Sequence, residues 1–178
     1  MVIALAGRRI DASEATDERF PLAHVPLVAD RLRALFVETA AAIVVSSAAC
    51  GADLIALDVA GELRLERRIV LPFEARRFKA ESVTDRPGDW GPMFDRVLAE
   101  TRAAGHVTIL DSGSGEAAYL AAAGAILDAA ERLAKGLGSP AAAVIVWNGH
   151  SRGRDDLTAL FRDHAVARGF RVLEVLTN

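Results

Sequence analysis

IVVSSAACGADLIALDVAGEL, Ile43 to Leu63, joins an apolar run to a helical pattern through two serines, three small residues and a glycine. Ala41 to Val45 reads as a strand. Ala52 to Leu63 reads as a helix, with Leu54, Ile55, Leu57, Val59 and Ala60 at apolar positions. The junction between them has two physical readings. Small side chains and Gly51 let strand and helix pack closely, with Ser47 or Asp53 as a cap. They also let an anion approach the unpaired N–H groups and the positive dipole end of the helix.

Outward from that junction the same alternation repeats. Val2 to Ala6, Arg68 to Leu71, His106 to Leu110, Ala141 to Trp147 and Arg171 to Leu176 read as strands. Helical patterns fall between them: from Pro21 or Pro26 through Phe36, around Glu74 to Val83, from Asp89 or Trp90 to Ala103, Glu116 to Lys135, and Leu157 to Ala167. Crossovers of this length imply parallel strands in one sheet with helices on both faces. The expectation is a single α/β domain over residues 1–178, doubly wound and Rossmann-like. In such sheets ligands bind beyond the carboxyl ends of the strands. That directs attention to Gly7 onward, Ser46 onward and Trp147 onward.

Composition narrows the function classes. The 178 residues are 52% hydrophobic and 6% aromatic, with a formal net charge of -3 and no basic stripe. Duplex nucleic acid is therefore not expected as a partner. Cys50 is the only cysteine, which excludes an intrachain disulfide and a four-cysteine metal site. HExxH and spaced His/Asp/Glu clusters are absent, so no metal site is expected. The start reads as a first strand and not a signal peptide, and no apolar run approaches the ~20 residues that span a bilayer. The cytoplasm is the default location.

Several residues carry chemistry. Arg8 and Arg9 follow the first strand, where a guanidinium can grip a phosphate; the alternative is surface pairing with Glu14 or Asp17. Asp11 can orient an arginine or cap a turn. Cys50 reads as a small buried side chain. In VWNGHSRGRDDLTALF, Val146 to Phe161, one of Asp155 and Asp156 suits a helix N-cap and the other can accept a ribose hydroxyl. Trp90 reads as a packing residue, and Trp147 serves equally to pack or to stack on a base.

Taken in order, GRRIDASEATDERFP, SSAACGADLIALDVA, VLPFEARRFKAESV with DW and FDRVL, AYLAAAGAILDAAERL and VIVWNGHSRGRDDLTALF resemble the SLOG superfamily. These are Rossmann-like nucleotide-binding domains related to the Lonely Guy phosphoribohydrolases and DprA, and the closest likeness is to a bacterial sensor-type branch. The resemblance spans nearly the whole chain. It implies a ligand site built from Gly7 and Arg8 or Arg9; from Ser46, Ser47, Ala48 and Gly51 to Asp53; from Pro72, Phe78 and Ser82; and from Trp147, Gly149, Gly153 and Asp155 to Thr158. One departure stands out. The phosphoribohydrolase signature PGGxGTxxE is replaced here by GHSRGRDDLTALF, without paired glycines or the glutamate.

The resulting expectation is a sensor that binds a nucleotide or nucleotide-derived signalling molecule and requires no further cofactor. Phosphates would lie on the Ser46–Asp53 turn with help from Arg8 or Arg9, and the sugar would face the Gly149–Asp156 loop. Output would need a separate effector protein or self-assembly, and relatives commonly form homodimers. One alternative is an N-glycosidase acting on a nucleoside monophosphate, with Asp155 or Asp156 as acid/base. The other is a scaffold that kept the fold without the site. On the first reading, Arg9→Ala and Gly51→Val weaken binding without unfolding the chain.

Overall fold

The computed structural model describes residues 1–153 and 155–178. Six parallel strands form one sheet in the order β4-β3-β2-β1-β5-β6. They are β1 (Val2–Gly7), β2 (Ile43–Ser46), β3 (Glu66–Leu71), β4 (Val107–Ile109), β5 (Ala141–Trp147) and β6 (Arg171–Leu176). The helices are α1 (Val25–Glu38), α2 (Ala52–Glu62), α3 (Ala75–Ser82), α4 (Trp90–Ala103), α5 (Gly115–Leu137) and α6 (Leu157–Ala167). A short 3-10 turn, Leu22–His24, precedes α1.

β1 lies at the centre, in register with β2 from Val2↔Ile43 and with β5 from Val2↔Ala141 to Gly7↔Val146. Strand period sorts its side chains. Ile3 and Leu5 join Val44, Ile69, Leu71, Val144 and Val146 under the helices α1 to α4. Val2 and Ala4 join Ile43, Val45, Val70, Ala143 and Ile145 under α5 and α6. Both faces are buried, which is why these strands read as continuous apolar runs. Alanines on α5, among them Ala122, Ala130 and Ala134, let that long helix lie close to Ala4 and Ala143.

The α/β doubly wound expectation holds, and the differences are at element ends. β2 begins at Ile43 because Ala40 takes a positive φ and Ala41 closes back on Phe36. β3 extends back to Glu66, which pairs with Ile43. β4 is a three-residue edge strand, Val107–Ile109. α5 runs on to Leu137, where Gly138 in the left-handed region stops it.

The chain runs β1 to β4 across one half of the sheet. It then crosses back over the other face through α5 to place β5 beside β1. This reversal makes the carboxyl ends of β1 and β5 the switch point of the fold. Close approach at this point depends on Gly7, where an added Cβ would lie 2.5 Å from Ala52 Cβ and 2.6 Å from the Val146 carbonyl oxygen. Gly7→Ala should therefore lower stability by about 1–3 kcal/mol, read as a drop in the urea midpoint with an unchanged slope.

Candidate functional site

A cavity of about 320 Å³ opens at the switch point. Leu5, Ala6 and Gly7 of β1 contribute backbone and side chains to it. Ser47, Ala49 and Asp53 line it from the β2–α2 junction, and Phe78 and Ser82 from α3. Tyr119, Ala123 and Ile126 of α5 and Leu157, Thr158 and Phe161 of α6 complete an apolar and aromatic wall. The Tyr119 hydroxyl and Ser82 Oγ are hydrogen-bonded at 2.8 Å, tying α5 to α3. Five arginines also line the cavity: Arg8, Arg9, Arg19, Arg86 and Arg152.

Arg8 is buried and held by Asp156. Its Nη1 donates to Oδ1 at 2.5 Å and its Nη2 to Oδ2 at 2.7 Å, while Nη2 also donates to the His150 carbonyl at 2.7 Å. Asp156 is wholly buried and caps α6, accepting from the N–H groups of Thr158 and Ala159; it also accepts the Arg152 N–H at 2.7 Å. Burial disfavours its charge, yet Arg8 and these backbone donors hold the carboxyl down at about 2. Asp156 is thus a permanent anion with its lone pairs spent, which removes it as a general acid/base. Arg8 does not pair with Glu14 or Asp17.

The other arginines are less fully partnered. Arg9 pairs with Asp85 and reaches the Glu81 carbonyl. Arg86 shares Asp85 at 3.5 Å, and Arg19 pairs with the exposed Asp17. Arg152 is exposed and has no carboxylate partner for its side chain among the described residues; partial desolvation and the charge of Arg8 hold its pKa below the usual range, with Asp156 pulling the other way and Arg19 and Arg86 adding to the repulsion. Nε of Arg8 and Arg9 and Nη1 of Arg19 are buried with no hydrogen-bond acceptor among the described residues, and Arg86 Nε has only the Asp85 carboxylate at 3.5 Å. Buried donors in this state are rare in folded proteins and mark a place where an acceptor is expected. Arg19 is delivered by the loop after β1, which Asp11 closes by accepting the N–H groups of Arg19 and Phe20 at 2.8 Å.

The β2–α2 turn differs from the expected phosphate cradle. Cys50 N–H donates to the Ser82 carbonyl, Ala52 N–H to the Arg8 carbonyl and Leu54 N–H to the Ala49 carbonyl. Ala49 N–H donates to Asp53 Oδ2 at 3.3 Å. The space before the helix is filled by the backbone after β1. Gly51 has φ +88°, and a Cβ there would lie 2.8 Å from the Arg8 carbonyl oxygen and 2.9 Å from the Ile10 nitrogen. Gly51→Val is consequently a folding lesion and not a clean binding variant. Ser46 Oγ donates to the Leu5 carbonyl and Ser47 Oγ to the Val70 carbonyl, so both hydroxyls serve the sheet. Cys50 is buried, and burial pushes its thiol up.

Of the residues singled out from the sequence, Gly7, Arg8, Arg9, Ser47, Asp53, Thr158, Phe78 and Ser82 line the cavity. Ser46, Ala48, Gly51, Pro72, Trp147, Gly149, Gly153, Asp155 and Asp156 do not. Trp147 packs on the α5–α6 face, with Nε1 donating to Glu174. Gly149 and Gly153 take positive φ in the loop after β5, and Asp155 is exposed. The cavity residues missed in the sequence are Arg19, Arg86, Tyr119 and Arg152.

Asp53 is the cavity's other charged group of interest. It is buried and forms no ion pair among the described residues. Burial pushes its carboxyl up to about 7, against the pull of the Ala49 N–H, the Ser46 hydroxyl and the Arg9 charge. Among the described residues no group of His, Cys, Asp and Glu is placed to hold a metal ion, and no helix is long and apolar enough to cross a membrane. No protein-family model matches the chain, and no curated protein matches it.

Two outcomes follow for stability. Because the folded state binds the Asp53 proton more tightly than the unfolded chain, this residue's ionisation weakens the fold as pH rises from about 4 to 7. Asp53→Asn should be more stable than the parent protein at pH 8, by up to about 4 kcal/mol, and should converge with it near pH 4, as read from melting at each pH. Asp156 has the opposite sign: its contribution is full above pH 4 and is lost as pH falls toward 2. Asp156→Asn should cost about 3–5 kcal/mol at pH 7, because it leaves Arg8 buried and unpaired.

Proposed function

We propose that this protein binds a phosphorylated small molecule of nucleotide class in the switch-point cavity, as a ligand sensor. The observation that carries this is the convergence of Arg8, Arg9, Arg19, Arg86 and Arg152 on one cavity. A bound phosphate would neutralise that positive charge and accept the orphaned N–H groups. The position at the switch point supports the reading. So does the wall of Phe78, Tyr119, Ile126 and Phe161, which offers apolar surface for a base. A cavity of about 320 Å³ is at the small end for ligand sites and suits one nucleotide better than two. The resemblance to SLOG domains points the same way.

A second reading, cleavage of the N-glycosidic bond, draws on Asp53. A carboxyl near 7 inside the cavity has the acid/base range that Asp156 lacks. Release of free base from nucleoside monophosphates, abolished in Asp53→Asn, would establish turnover. Binding without base release leaves the sensor role.

The direct test is a thermal-shift and calorimetric screen of nucleoside mono-, di- and cyclic phosphates. A true ligand raises the melting temperature in proportion to its occupancy of the native state. Arg152→Ala and Arg86→Ala should each weaken such binding by about tenfold or more while leaving the unliganded melting temperature nearly unchanged. Indifference of the affinity to both substitutions would remove the arginine cluster as the anion site.

A further inference from the structure

Resting on the reading of the cavity as a nucleotide site, we infer that the ligand lies with its phosphate against Arg19, Arg86 and Arg152 and its sugar hydroxyls at Asp53, which makes Asp53 the residue that selects a ribose. This is the reverse of an arrangement with phosphate at the α2 N-terminus.

Three observations carry it. First, the α2 end is occupied in part by the protein itself. Its N–H groups at Cys50, Ala52 and Leu54 are donated within the protein, and the Arg8 and Ile10 backbone packs onto Gly51. Second, the side chain that does face the cavity there is a carboxyl. Asp53 spends Oδ2 on the Ala49 N–H and makes no ion pair among the described residues, although five arginines line the same cavity. A phosphate placed beside it would meet a like charge or force its protonation. A sugar hydroxyl placed there would donate to it. Third, the charges divide into two groups. Arg152 lies in the loop after β5, and the Arg19 carbonyl accepts from Thr177 just after β6, whereas Asp53 lies in the first turn of α2, beside β2 on the other side of β1. Arg9 is itself neutralised by Asp85. Arg19, with its orphaned Nη1, and Arg152 therefore lie on one side of β1 and Asp53 on the other, while Arg86 lines the same cavity and shares Asp85 with Arg9.

The groups facing Asp53 are accounted for by element: Arg9 from the loop after β1, and Ser46 with the Ala49 N–H from the β2–α2 junction. Arg8, which also lines the cavity, is engaged by Asp156. Two carboxyls line the cavity: Asp53, whose Oδ2 accepts the Ala49 N–H, and Asp11, whose Oδ2 accepts the Arg19 and Phe20 N–H groups.

The test measures binding by calorimetry at pH 8, where Asp53 is ionised, with three kinds of probe. These are the four ribonucleoside 5′-monophosphates, their 2′- and 3′-deoxy counterparts, and inorganic pyrophosphate. The unaltered protein should prefer a ribonucleotide over at least one deoxy analogue by about tenfold or more, the worth of a hydrogen bond to a charged group. Asp53→Asn should lose that preference and keep its pyrophosphate affinity. Arg86→Ala and Arg152→Ala should lose pyrophosphate affinity and keep the sugar preference. Asp53→Ser serves the same purpose if the asparagine variant does not fold. Nucleotide binding with no sugar preference, with a preference that survives Asp53 substitution, or with pyrophosphate affinity that depends on Asp53, overturns the orientation and leaves the nucleotide reading standing. Absence of nucleotide binding in the unaltered protein removes the proposed function, and this inference with it.

Discussion

The ion pair between Arg8 and Asp156 is the constraint on which the rest of the cavity depends. It joins the end of the central strand to the first turn of α6 across 148 residues of sequence. Both side chains are buried, so each charge has left water at a cost of several kcal/mol. That cost is offset by a two-point guanidinium–carboxylate contact and by backbone donors from Arg152, Thr158 and Ala159. The pair brings the loop after β5 over the switch point and holds the Arg152 backbone against Asp156. Without it, β5 and α6 would still flank β1, but the loop between them would have no anchor at the cavity.

Arginine crowding is the electrostatic consequence. Guanidiniums arrive from the loop after β1, from the α3–α4 connection and from the loop after β5. Each loop could place its own arginine in water at little cost. The fold instead gathers them around a small cavity with apolar walls, with Arg8 buried, Arg9, Arg19 and Arg86 partly exposed and Arg152 exposed. Asp17 and Asp85 neutralise part of this charge from outside. The remainder is uncompensated positive charge, the feature on which the proposed anion site rests. Net charge says nothing of this, because a chain at -3 overall can still hold a strongly cationic cavity.

At the other end the fold treats charge in the opposite way. The first turn of α2 carries Asp53, a carboxyl that would normally ionise near a helix N-terminus. Burial outweighs that preference and leaves it half-protonated near neutral pH. The helix end is thus filled by the protein's own backbone and its own carboxyl, and the small residues from Ser46 to Gly51 serve close packing. In the proposed site, side-chain guanidiniums take the place of backbone amides as the anion donors.

The sequence by itself determined the α/β class, the alternation of six strands with helices, and the carboxyl edge as the place to look. Those follow from local periodicity and from the short reach of βα connections, which any segment carries within itself. It also pointed to Arg8, Arg9, Asp53 and Asp156, but not to what each does. Asp156 looked like a sugar acceptor or an acid/base and is the anchor of Arg8. Gly51 and Ser46 looked like ligand contacts and are packing and sheet contacts. Arg19, Arg86, Arg152 and Tyr119 carried no local pattern, because their meaning lies in arriving at one cavity from separate loops. Burial and long-range pairing decide whether a carboxyl sits at about 2 or at about 7, and only the tertiary structure sets either one.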